Sequence, residues 1–165
     1  MTYRENYPIN MLTVMDKNHK PIVLALFLLL SLATIAICGD LNAFYSMDYD
    51  GFWKHWNKVK NDAISCTDPQ KTSVFFSNAL ETLGNAEVSE ANAEVIENLA
   101  VTAPECFLKG LHRQIKKNQE KFIKAFLIHP IYSTDSKIEK SLNNIWNNEK
   151  FRDLKTTYYR LQKNS

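Results

Sequence analysis

A chain of 165 residues has room for one domain, and an apolar share of 45% is enough to build a core. The 23% of charged residues and a mean hydropathy of -0.32 exclude both a disordered chain and a polytopic membrane protein. Only four Gly and five Pro are present, too few for the turns of an all-β sandwich, so helices are expected.

Near the N-terminus, residues 21–38 carry no charge, and the run from Ile22 to Leu30 is wholly apolar. Lys17 and Lys20 precede it; Gly39 and Asp40 close it. A positive flank, an apolar run and small residues beyond it form the pattern of a secretory signal. Met15 would leave the short head Asp16–Lys20, a more ordinary start than the long one from Met1. Cleavage after Cys38 would put Ala36 and Cys38 where the peptidase needs small side chains, with Ala43 as a second position. Without cleavage, the same run would serve as a single-pass anchor. Lipidation of Cys38 is disfavoured by the bulky Ile37. Residues 1–43 are therefore expected to be a signal peptide or signal anchor, and residues 44–165 an exported domain, periplasmic or secreted. Two cysteines remain in that domain, Cys66 and Cys106, and in an oxidising compartment they are expected to pair. No Asn-x-Ser/Thr acceptor occurs, which tilts the reading toward a bacterial cell envelope.

Along the domain, Phe52, Trp56, Val59 and Ala63 share one face of a helix over 48–64. Thr67-Asp68-Pro69 opens a second helix bearing Phe75, Phe76, Ala79, Leu80 and Leu83, expected to stop at a left-handed Gly84. Ser89 is the expected cap of a third, with Val95, Ile96 and Leu99 inward, and Pro104 breaks it. A fourth from Pro104 carries Phe107, Leu108, Leu111 and Ile115; a fifth over 118–128 carries Phe122, Ile123, Phe126 and Leu127. Ser133 or Thr134 caps a last stretch through Ile138, Leu142, Trp146, Phe151, Leu154 and Tyr158, as one helix or as two broken near Asn147-Asn148. The fold class is all-α: an irregular bundle of about six or seven helices after an N-terminal hydrophobic targeting helix.

No catalytic or metal-binding motif stands out, and no cofactor is inferred. His55, His112 and His129 lack metal-ligand spacing and read as surface or packing residues. Glu87, Glu90, Glu94 and Glu97 form an acidic stripe, read as a solvated helix face before a glycosidase-type carboxylate pair. The net charge of +2 hides an asymmetry. From Phe44 to Cys106, four Lys face ten acids, giving -6; from Phe107 to Ser165, thirteen Lys or Arg face five acids, giving +8. Arg113, Lys117, Lys121 and Lys124 concentrate the positive charge, with Lys117, Lys121 and Lys124 on one helix face. Such a face suits an acidic protein partner or anionic lipid headgroups; nucleic acid is a poor candidate outside the cytoplasm. Trp53, beside Trp56 and near Phe44, Tyr45 and Tyr49, belongs either to an exposed contact patch or to an aromatic arm packed over the bundle. The function expected is that of an exported, non-enzymatic protein-binding domain, of inhibitor, immunity-like or adaptor type. A small envelope hydrolase and a membrane-anchored subunit are the alternatives.

Overall fold

Short polar side chains set most of the helix starts. Asp48 accepts a hydrogen bond from the amide of Gly51, Asp68 from Gln70, Asn85 from Val88 and Thr134 from Lys137. Each satisfies a backbone donor that the first turn of a helix leaves without a partner. The computed structural model describes residues 40–165, so the targeting segment lies outside the described residues. Those that are described are helical throughout, with no strand among them. The helices are α1 (Leu41–Met47), α2 (Tyr49–Ile64), α3 (Pro69–Glu81), α4 (Ala86–Thr102), α5 (Pro104–His112), α6 (Lys116–Phe126), α7 (Asp135–Trp146) and α8 (Arg152–Lys163). A 3-10 turn, Glu149–Phe151, links the last two, so the final stretch is two helices.

The core is one cluster of aliphatic side chains packed around a connected set of aromatic rings. Phe76 on α3 lies 4.4 Å from Phe122 on α6 and 5.3 Å from Phe107 on α5, measured between ring centroids. Ile96, Leu99 and Ala100 of α4 complete the first half; Ile138, Leu142, Trp146, Leu154 and Tyr158 bring in α7 and α8. Apart from Ala100, these are positions that the sequence periodicity places inward; Val95, expected inward too, is half-buried.

Three expectations about helix ends give way to local chemistry. The third helix begins at Asn85, four residues before Ser89, because Asn85 supplies the cap while the Ser89 hydroxyl donates to the carbonyl of Thr82. Gly84 is not left-handed; among the described residues the one non-glycine with positive φ is Cys66, at 55°, just past the end of α2. Ile115 is 67% exposed, since α5 stops at His112 and Ile115 becomes the residue that opens α6.

Cys66 and Cys106 form a disulfide with 5.6 Å between their Cα atoms, tying the end of α2 to the first turn of α5. It closes a loop of 40 residues, a constraint worth up to about 4 kcal/mol in the chain-entropy model. Next to it, α3 and α5 approach closely at Gly110. A Cβ there would lie 2.5 Å from Cγ2 and 2.8 Å from Cβ of the buried Thr72. Gly110→Ala is therefore expected to cost about 1–3 kcal/mol as overpacking, read as a lower midpoint of urea unfolding at unchanged slope.

Candidate binding face and the acidic stripe

The basic residues singled out from sequence do not share one environment. Arg113 caps the end of α5, where its Nε donates to Oε1 of Gln70 at 2.8 Å. Lys121 reaches back to α3 and donates from Nζ to the carbonyl of Leu80 at 3.3 Å, satisfying an acceptor near that helix's C-terminus. Lys117 and Lys124 are exposed and form no hydrogen bond or ion pair among the described residues. Lys116 pairs with Asp153 at 3.5 Å, and Glu120 with Arg160 at 3.2 Å, both linking α6 to α8. All four α6 lysines are solvent-facing, with the exposed Ile115 at the helix start. On the other side of α6, Phe122, Ile123 and Phe126 enter the core.

Trp53 lies in the packed aromatic arm. Helix α1 sets Phe44 and Tyr45 edge-on against Phe52 at 5.9 and 5.2 Å, and Trp53 stands 5.2 Å from Trp56. The Trp53 indole N–H is buried without a protein acceptor. Trp56, by contrast, donates to Oδ1 of the buried Asn92 at 2.8 Å, and Asn92 donates onward to the Thr82 hydroxyl at 3.1 Å.

The acidic stripe on α4 is no simple solvated face. Glu97 is only 1% exposed and accepts three consecutive backbone amides at 2.7 Å each: Ile131, Tyr132 and Ser133. Glu90 accepts the Tyr132 hydroxyl at 3.0 Å. Glu87 accepts from Tyr49 at 2.9 Å and also from Tyr45, which pins the arm. These bonds, Tyr45 foremost, hold the Glu87 carboxyl below its ordinary value, and they raise both tyrosines. Glu81 adds a second anchor: its Oε1 accepts the Leu41 amide at 2.7 Å and its carbonyl the side chain of Asn42 at 3.1 Å.

The sequence carried a signal for Glu97. It stands four residues after Ala93 and three before Ala100, which places it on the inward side of α4, whereas the stripe reading weighed only its spacing from other acids. The Gln114 network had no such signal. Gln114 is 7% exposed, and its amide donates to the Ser73 carbonyl at 2.6 Å and the Ser73 hydroxyl at 2.7 Å, locking α5 onto α3.

His55 packs its ring 6.1 Å from Phe44 and His112 lies 5.8 Å from Phe151, while His129 is exposed. Among the described residues no group of three or more His, Cys, Asp or Glu could hold a metal, and no helix is long and apolar enough to cross a membrane. No protein-family model, no curated protein and no solved structure matches this chain.

Two outcomes are expected. Glu97→Gln puts an amide NH2 against backbone donors, which should cost about 2–3 kcal/mol and speed hydrogen exchange at the amides of Ile131, Tyr132 and Ser133. Glu87 has a folded-state pKa depressed from 4.5, so its contribution is present above that value and is lost as pH falls through the folded pKa. Acid should therefore release α1 before the core unfolds, seen as a change in Trp53 fluorescence below about pH 4.5 that Glu87→Gln abolishes.

Proposed function

We propose that residues 40–165 are the exported, non-enzymatic binding domain of a cell-envelope protein, and that the α6 face takes an acidic protein partner. The observation that carries this reading is the contrast on that face. The fold uses Arg113 and Lys121 for helix-end contacts, while Lys117 and Lys124, two turns apart on one side of α6, are exposed and form no hydrogen bond or ion pair among the described residues. Exposed cations that the fold does not engage suit an acidic partner.

A Glu-pair hydrolase is less well supported. Glu97 commits both oxygens to backbone amides, and Glu87 and Glu90 are engaged by tyrosines. Of the four acids only the exposed Glu94 is uncommitted among the described residues, and the chemistry needs a pair. Export rests on residues 21–38. Cleavage after Cys38 would leave α1 whole, whereas cleavage after Ala43 would remove Leu41 and Asn42, the residues that bind Glu81. An uncleaved anchor would carry the same domain as a membrane-bound subunit; the mass of the purified protein separates these forms. A fusion of residues 1–45 to a reporter active only after translocation tests export, and a cytoplasmic signal overturns it.

The binding test uses Lys117→Gln with Lys124→Gln. Solvated lysines contribute little to stability, so the double variant should melt at the wild-type temperature. It should associate more slowly with a partner recovered by affinity capture from envelope extracts, and the deficit should vanish toward molar salt, where the screening length is about 3 Å. Lys121→Gln differs: losing the bond to Leu80 should lower stability by about 0.5–1 kcal/mol. Wild-type association by the double variant at low salt would sink the proposal.

A further inference from the structure

We infer that the disulfide is a thiol-exchange site as well as a staple, with Cys66 the sulfur that an external thiol attacks and Cys106 the sulfur that leaves. The two halves of the bond stand in unlike surroundings. Cys66 is exposed, on the turn just past α2, whereas Cys106 is half-buried in the first turn of α5. Beside the bond is an open groove lined by Thr67, Pro69, Ala103, Pro104, Lys109 and Ile145, room enough for the chain that bears the attacking sulfur.

Three features favour Cys106 as the leaving thiolate. Helix α5 has Ala103 at its N-cap, so no side chain covers the first-turn amides, and the sulfur that departs is the third residue of that helix. Unpaired amides and the helix dipole lower the pKa of a thiol placed there, and a lower leaving-group pKa speeds exchange. The buried Thr72 hydroxyl donates to the Ala63 carbonyl at 3.2 Å and lies 3.6 Å from Cys106 Sγ, so it can turn to a sulfur that acquires charge. The neighbouring Glu105 would oppose that charge, but Lys109 pairs with it at 2.7 Å.

The step balances as an exchange. A thiolate forms a bond to Cys66 Sγ as the Cys66–Cys106 bond breaks, and the electron pair leaves on Cys106 Sγ, which can then take a proton from water. A second thiol attacking the mixed disulfide releases Cys66; the external pair is oxidised to a disulfide and the protein's is reduced to two thiols. The co-reactant is any accessible thiol, either a small monothiol or a dithiol protein of the thioredoxin type.

The test treats the full oxidised chain with millimolar glutathione at neutral pH, followed by acid quench, alkylation and peptide mapping. The expected product carries glutathione on Cys66 and the alkyl group on Cys106, in at least about tenfold excess over the reverse. Glutathione shared equally or favouring Cys106, or no adduct until denaturant is added, overturns the inference. Thr72→Val separates local exchange from exchange through unfolding. Losing a buried hydroxyl destabilises the fold, so an unfolding route would run faster, whereas the local route should slow by about 3- to 10-fold. Faster or unchanged exchange in Thr72→Val overturns the local route, and Thr72→Ser, which keeps the hydroxyl, should restore the rate. A thioredoxin-type dithiol in place of glutathione should give full reduction with no lasting adduct, which distinguishes the two thiol sources.

Discussion

A carboxylate removed from water must find its hydrogen bonds in the protein, and Glu97 finds three in consecutive backbone amides. The arrangement works in both directions. The loop between α6 and α7 buries its own Leu127 and Ile128, and its amides at Ile131, Tyr132 and Ser133 have no helix to bond within. One charged group on α4 satisfies all three, and charge-assisted bonds of this length are stronger than neutral ones. Because α7 begins at Asp135, directly after the clamp, the clamp sets where that helix starts.

Helix α4 thus organises the molecule along its length. At its start Glu87 holds the aromatic arm; in its middle Asn92 joins the Trp56 indole to Thr82; near its end Glu97 holds the loop to α7. The disulfide adds a separate tie, linking the end of α2 to the helix that follows α4. The polarised charge has a matching division of labour. Several acids of the N-terminal half are engaged inside the fold, on backbone amides and tyrosine hydroxyls. The basic half retains cations for which the fold has no use, and Lys117 and Lys124 are the clearest of them.

How much of this was legible in the sequence depended on range. The apolar periodicity gave the all-helical class and most of the core, since Phe52, Phe76, Ile96, Phe107, Phe122 and Leu142 each repeat at helical spacing and each is buried. Local capping chemistry was legible at Asp68 and Thr134. It was misread at Ser89 because two polar residues within one turn both qualify, and only the nearby Thr82 carbonyl decides which one is drawn away. Ile115 was misread for a related reason: its spacing continues the α5 face, but the chain has already turned. The Gln114 network and the docking of α1 depend on partners some forty residues away, and no local pattern encodes them.

Charged stripes show the same limit from the other side. Lys117, Lys121 and Lys124 are equivalent in spacing, yet Lys121 alone lies against the carbonyl end of α3 and becomes part of its cap. Glu94 and Glu97 are separated by less than a turn, yet Glu97 alone meets a loop with unpaired amides, while Glu94 stays at the surface. A stripe describes one helix; the role of each member is set by whichever helix end or loop packs opposite. Charges so recruited become part of the fold, and substituting them perturbs stability before it perturbs binding. Those left over cost the fold almost nothing to change, so the proposed binding role can be tested at Lys117 and Lys124 without disturbing stability, which is not so at the more central Lys121.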